Sequence, residues 1–329
     1  MVTRIAILGA GRIGQVHARA VAGNRQARLV ALADALPEAA ETLAATYGAR
    51  VSDIDAIAAD ADVDAVIICT PTDTHADLIE MFAHAGKAIF CEKPIDLDRA
   101  RVAACLQVVA DTGTPLMVGF NRRFDPHFRA VQQAVAAGRI GAVEQVVITS
   151  RDPAPPPLSY IAHSGGIFRD MTIHDFDMAR FLLGQEIVSV QAMASVLVDP
   201  DIGAEGDFDT ASVLMQAASG AQVVIANSRR ATYGYDQRIE VHGAGGMLQA
   251  QNQREADIVL ANGQGFTAPV LHDFFMTRYL AAYAAEIAAF ITALNDGTEM
   301  PVTGADGLRA LDIAEAAVAS VQTGSVVRL

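Results

Sequence analysis

Three glycines constrain this 329-residue chain more than any other feature: Gly9, Gly11 and Gly14, directly after a short apolar run at residues 5–8. A G-x-G-x-x-G in that place needs a strand before it and a helix after it. The first glycine permits the tight turn, the second lets a pyrophosphate approach the backbone, and the third allows close helix–strand packing. The helix that opens there offers unpaired N–H groups to an anion, and Arg12 and Ile13 lie within the same loop. A second apolar run, residues 29–33, ends in Asp34, 20 residues beyond Gly14. At that spacing a carboxylate reaches the ribose hydroxyls of a dinucleotide. These features predict a doubly wound Rossmann domain that binds NAD. Asp34 also predicts NAD over NADP, because no Arg or Lys follows it in Ala35, Leu36 or Pro37. A 2′-phosphate charge about 4 Å from the carboxylate would be repelled by roughly 4 kcal/mol at an effective dielectric near 20.

Further apolar runs at residues 65–69, 88–91 and 116–118 alternate with alanine-rich stretches of helical length at 37–47 and 98–112. This βαβα order implies a parallel sheet with helices on both faces. The pattern changes after Asn121. A helix is predicted over residues 126–136, then strands over 143–149, 187–193, 211–216, 222–226, 238–241 and 247–250, separated by Gly-containing turns. Such a run predicts a second α/β domain with a large, mostly antiparallel sheet open on one face. Two alanine-rich helices, roughly 275–295 and 305–322, close the chain. The expected organisation is a dinucleotide-binding domain over residues 1–121 and a substrate-binding and oligomerisation domain over 122–329, with the active site between them. An open apolar sheet face favours association.

Composition excludes several classes of function. The formal charge of −14, with 24 basic and 38 acidic residues and no basic run, argues against nucleic acid or an anionic membrane as partner. Three cysteines, Cys69, Cys91 and Cys105, form no C-x-x-C pair and fit neither a disulfide framework nor a zinc site. The chain opens directly into an apolar strand, without the pattern of a signal peptide. Its most apolar helical stretch carries Glu286 in its middle. A cytoplasmic protein, bound to no membrane, is the expectation.

Two strand ends carry candidate chemistry. Residues 65–69 run into Thr70, Pro71 and, four residues on, His75; residues 88–91 run into Glu92, Lys93 and Pro94. Open α/β sheets bind ligands at these carboxyl ends, and Pro94 biases Lys93 away from helical geometry. A Glu-Lys pair alone is an ordinary surface pair. In combination with the glycine loop it resembles the glucose–fructose oxidoreductase/inositol dehydrogenase family (Gfo/Idh/MocA), whose marks are the N-terminal fingerprint and a Glu-Lys-Pro. Residues 119–125 (Gly-Phe-Asn-Arg-Arg-Phe-Asp), 151–153 (Arg-Asp-Pro), 170–175 (Asp-Met-Thr-Ile-His-Asp) and 233–236 (Tyr-Gly-Tyr-Asp) resemble the inositol dehydrogenase branch. The resemblance covers nearly the whole chain. It implies NAD-dependent oxidation of a polyol or sugar, with myo-inositol to its 2-keto product as the leading reaction, by a homotetramer or dimer. It implies Lys93, Asp170 and His174 as the catalytic Lys, Asp and His, and Arg122, Asp152, Tyr235 and Tyr283 as sugar contacts. Thr70, Pro71, His75, Glu92 and Lys93 join the glycine loop and Asp34 as cofactor-binding residues.

These residue types suit the chemistry on their own terms. Oxidising a secondary alcohol moves a hydride to the cofactor and a proton to a base, and the protein supplies position, base and charge. His174 is the expected base, since histidine titrates near neutrality. Thr172 followed by Asp175 reads as a capping box, placing His174 in a first helical turn whose positive end favours the neutral ring. Asp170 would orient His174 or bind a hydroxyl, and Lys93 would stabilise the developing alkoxide. Plainer readings stand beside these. His75 could be a helix cap, Phe275, Tyr279 and Tyr283 core packing, and Arg122 and Arg123 partners of the abundant acids. No metal is expected at His174, Asp175 and Asp177, because helical spacing spreads them around the axis. Another inositol isomer or an aldose remains open as substrate. A non-catalytic nucleotide-binding sensor remains open as a different class, though it could dispense with Lys93 and His174.

Overall fold

Apolar runs become buried strands, and the ends of those strands fix where the polar residues emerge. The computed structural model describes residues 2–329. Two units pack separately: one holds the chain up to Asp125 together with Ala281–Leu311, the other Pro126–Leu280 and Asp312–Leu329.

In the first unit, β1 (Thr3–Leu8), β2 (Ala27–Ala33), β3 (Arg50–Val51), β4 (Ala65–Ile68), β5 (Ala88–Glu92) and β6 (Leu116–Gly119) form one parallel sheet in the order β3-β2-β1-β4-β5-β6. Strand order reverses between β1 and β4, the switch point at which open α/β sheets take ligands. Ile5, Ile7, Leu8, Ile67, Ile68, Ile89 and Phe90 are completely buried. Burial on both faces explains why these strands read as continuous apolar runs. The two-residue β3, with both residues exposed, carries no such signal. Residues 281–311, which a division at residue 121 assigns to the second domain, pack here. Val118 N–H donates to the Val302 carbonyl at 3.1 Å, and the Phe290 ring meets Phe90 edge-on at 5.8 Å.

In the second unit, seven strands form a mixed sheet. They are β7 (Val143–Arg151), β8 (Ile187–Ser195), β9 (Thr210–Ala217), β10 (Gln222–Ser228), β11 (Asp236–Gly243), β12 (Gly246–Ala250) and, past the hairpin of β13 (Leu260–Asn262) and β14 (Gly265–Thr267), β15 (Val327–Arg328). The order is β12-β11-β7-β10-β9-β8-β15, and β7 with β10 is the one parallel pair. Val190, Val213, Val223, Ile225, Val146 and Val241 bury one face, while Gln191, Met193, Ser212 and Leu214 lie exposed on the other. This is the mostly antiparallel sheet, open on one side, that the alternating pattern implies.

The stretch expected as one helix over 275–295 is two, Phe275–Arg278 and Leu280–Asp296. Tyr279 breaks the run with its ring edge-on to Phe128 and Tyr235, at 6.4 and 6.0 Å. Here tertiary packing overrides a helix-compatible sequence. Among the described residues no helix is long and apolar enough to cross a membrane.

Asp209, fully buried before β9, holds the adjoining loop. Its carboxylate accepts the N–H groups of Leu197, Val198 and Asp199 at 2.8–3.0 Å and the Thr210 hydroxyl at 2.9 Å. Burial opposes the charge, but these donors outweigh it and hold the carboxyl below the usual aspartate range. A depressed folded-state pKa contributes stability above the unfolded-state pKa and loses it as pH falls through the folded one. Asp209→Asn, which turns an amide N–H₂ toward N–H donors, is expected to cost about 1–3 kcal/mol at neutral pH. Urea unfolding across a pH series should show the difference from wild type shrinking toward acid; a pH-independent difference would contradict this assignment.

Candidate active site

Backbone crowding shapes the glycine loop. Gly9 has φ +98°, and a Cβ there would lie 2.6 Å from the Cys69 carbonyl oxygen. A Cβ on Gly14 would come within 1.9 Å of the Gly9 carbonyl oxygen, so any side chain there would force the turn apart. Gly11 is different: nothing lies within 4 Å of its Cβ position. That open side sits directly before the helix Arg12–Ala22, whose first turn holds no acidic residue. Asp34 fastens the loop to the end of β2. Its Oδ2 accepts the Ala10 N–H at 2.6 Å and its Oδ1 the Leu36 N–H at 2.8 Å. Each carboxylate oxygen accepts about two hydrogen bonds, which leaves capacity for ribose hydroxyls. A free helix N-terminus, an open glycine and a carboxylate at the strand end together fit a dinucleotide.

The ends of β4 and β5 are tied by His75. Its ring is 2% exposed, with Nδ1 2.8 Å from the Pro94 carbonyl oxygen and Nε2 2.8 Å from that of Thr70. Burial pushes the His75 imidazolium below the usual histidine range, against the two carbonyls and Glu92, which favour charge. The Thr74 hydroxyl donates to Thr70 Oγ1 and the Pro71 carbonyl, both at 2.7 Å. On the other flank, His17 Nε2 lies 2.6 Å from Glu92 Oε1, and a Cβ on Gly119 would come within 3.1 Å of the Glu92 carboxyl. Half-buried Lys93, joined to Pro94 by a cis peptide, therefore stands between two anchored neighbours. The fully buried His17 meets Phe90 and Tyr283 edge-on at 5.0 and 5.6 Å, which puts Tyr283 in the packing behind Glu92. Arg122 is buried in the 3₁₀ turn Asn121–Phe124; its neighbour Arg123 pairs with Asp306 at 2.9 Å. The three cysteines are free and buried, and burial pushes every thiol up, Cys105 to about 12. Thiols so held are poor nucleophiles.

In the second unit the parallel β7–β10 pair delivers two segments to the same end of the sheet, where Asp152 N–H donates to the Ser228 carbonyl at 2.9 Å. Asp170 lies in a π-helical turn, Phe168–Thr172, a feature frequent at functional sites. Its Oδ1 accepts the Tyr160 hydroxyl at 2.8 Å, and its Oδ2 lies 3.5 Å from Arg229 Nη1. His174, half-buried, is the second residue of the helix Ile173–Leu183. The expected capping box is not formed. Thr172 has helical dihedrals and makes no cap bond, because the π turn runs straight into the helix. Its hydroxyl instead donates to the Ile167 carbonyl and to Asn227 Oδ1, at 3.2 and 2.7 Å. His174 consequently lies beyond the first turn of the helical run, where the end effect has faded. Asn227 also donates Nδ2 to the fully buried Asp175, at 2.8 Å, and so pins both neighbours of the 173–174 pair to β10. Tyr235 is 6% exposed, its ring edge-on to Phe274 at 5.5 Å.

Sequence reasoning missed His17, Tyr160, Asn227 and Arg229. A histidine three residues past Gly14 was visible there, but nothing in the sequence pairs it with Glu92.

Comparison with known proteins completes the assignment. Residues 3–120 match the oxidoreductase family with an NAD-binding Rossmann fold, and residues 128–249 match the GFO/IDH/MocA C-terminal domain. The chain is 67% identical over 321 residues to the inositol 2-dehydrogenase of Rhizobium meliloti (strain 1021), covering 98% of this chain and 97% of that protein. A myo-inositol dehydrogenase from Corynebacterium glutamicum superposes with TM-score 0.97 at 45% identity, over 100% of this chain and 99% of that one. The scyllo-inositol dehydrogenase of Lactobacillus casei, solved with bound NAD(H) and scyllo-inositol, gives TM-score 0.93 at 31% identity, over 100% and 99% of the two chains. By its glycine loop, its strand-end residues and these full-length similarities, the chain belongs to the Gfo/Idh/MocA oxidoreductase family.

Proposed function

We propose that this protein is an NAD-dependent dehydrogenase of cyclic polyols that oxidises myo-inositol to 2-keto-myo-inositol (scyllo-inosose). The observation that carries the reading is the 67% identity, over nearly all of both chains, to an inositol 2-dehydrogenase. Scyllo-inositol is the second reading, favoured by the 31% relation to a dehydrogenase that holds it. NAD, when bound, accepts the hydride of the alcohol carbon. Gly9, Gly11, Arg12, Ile13 and Gly14 receive its pyrophosphate, and Asp34 its ribose hydroxyls. Thr70, Pro71, His75, Glu92 and Lys93 line the cofactor side, with His75 tying the Thr70 and Pro94 carbonyls together.

The protein's own part is proton transfer and orientation. His174 takes the hydroxyl proton as general base. Lys93 stabilises the alkoxide as that proton leaves. Asp170 orients the histidine or a substrate hydroxyl, and Arg122, Asp152, Tyr235 and Tyr283 serve the sugar-binding side. The proposed division gives residues 1–121 to the cofactor and 122–329 to the substrate, with Lys93 reaching the substrate from the first part and residues 281–311 packing with it. Association of copies through the open face of the seven-stranded sheet, to a tetramer or dimer, and a reducing cytoplasmic setting for the free thiols complete the proposal.

Absorbance of reduced cofactor, recorded with NAD or NADP against a panel of inositols and aldoses, tests substrate and cofactor together. Turnover of myo-inositol with NAD is expected at a higher kcat/KM than with any other pair. Preference for NADP would overturn the reading of Asp34, and turnover confined to an aldose would overturn the polyol. His174→Ala is expected to lower kcat by about 10²–10⁴-fold. Lys93→Ala should lower kcat and kcat/KM together, as loss of a transition-state contact does; a change in KM alone would make Lys93 a binding residue.

A further inference from the structure

Arg229 is the largest fully buried side chain among the described residues, at 1% exposure. It follows the end of β10, two residues after Asn227, and is buried as Asn227 is. Its backbone N–H donates to the Asp209 carbonyl at 2.8 Å, which sets where the side chain departs. One arm of the guanidinium, Nη2, donates to Asp207 Oδ2 at 3.2 Å; the other, Nη1, pairs with Asp170 Oδ2 at 3.5 Å. Asp207 is itself fixed, since its Oδ1 accepts the Ile167 N–H at 2.8 Å and would meet a Cβ on Gly166 at 2.8 Å. The Asp170 N–H donates back to the Gly166 carbonyl at 3.0 Å. Arg229 therefore closes a ring that runs from Asp207 through residues 166–170 to the Asp170 carboxylate.

A buried guanidinium between two carboxylates is a poor way to gain stability, because apolar side chains of similar volume do as well or better there. What it supplies is direction. The planar fork presents its donors in fixed directions, so two carboxylates bound to it keep a fixed separation. We infer that Arg229 is a positioning residue, holding the Asp170 carboxylate in place from behind while remaining too deeply buried to touch substrate. Tyr160, donating to the other oxygen, fixes the rotation of the same carboxylate. The inference rests on the reading that Asp170 serves the oxidation of the polyol.

Kinetics of R229M, R229K, D170N and the double variant R229M/D170N test it. R229M is expected to lower kcat by about a hundred-fold, the order that an ångström of misplacement costs, with KM for NAD within about two-fold of wild type. R229K keeps the charge without the fork, so it should recover part of the activity and still fall about ten-fold short. In the D170N background R229M should not lower kcat further, because the two side chains act as one unit. Equal losses in both backgrounds would make Arg229 a general structural residue and overturn the inference, leaving Asp170's role intact. Wild-type kcat in D170N would instead remove the reading of Asp170, and this inference with it. If R229M does not fold, R229K carries the test, and wild-type kcat in R229K overturns the inference.

Discussion

Strands β7 and β10 run in the same direction in a sheet whose other pairs are antiparallel, so residues 151–152 and 228–229 leave it at the same end of the strands. Much of the second unit's polar arrangement depends on that pairing. From the β10 end, Asn227 holds Thr172 and Asp175, and Arg229 holds Asp170. The His174-bearing helix is thereby fixed by side chains of a strand and not by a cap of its own. Rigid elements position functional groups better than loops do, and here a strand end does for a π turn what a cap does for an ordinary helix terminus.

The first unit follows a related rule with different means. Its glycine loop is shaped by what cannot fit, a side chain at residue 14 against the Gly9 carbonyl, and by Asp34 bonded to Ala10 and Leu36. Lys93 needs no cap or loop of its own either. Its neighbours are held instead, Glu92 by His17 and Pro94 by His75. Both units place a candidate reactive side chain beside residues immobilised by buried partners, which is how a site keeps its geometry when substrate binds.

The readable parts of the sequence were those that local rules determine. Gly9, Gly11, Gly14 and Asp34 are legible because a tight turn and a fixed spacing admit few alternatives, and the buried strands are legible because both faces must be apolar. The short strands β3, β13, β14 and β15 are too brief and too exposed to leave a pattern. Thr172 and Asp175 look alike in sequence whether the threonine begins a helix or continues one, and the π turn before it decided the matter. Arg229 and Arg230 stand side by side, one buried and one exposed, and only the Asp207 and Asp170 carboxylates distinguish them. Membership of residues 281–311 in the first unit is a fact of packing that chain order does not carry.

The proposed reaction takes a hydride from the C2 carbon of myo-inositol to NAD. The most direct test is turnover of myo-inositol deuterated at C2, with the reduced cofactor and the ketone product both examined by NMR. One deuterium in the reduced nicotinamide, none in the ketone product, and a slower hydride-transfer step than with ordinary substrate are expected. Reduced cofactor without deuterium, or a ketone that retains it, would mean that oxidation occurs at another carbon and would contradict the account.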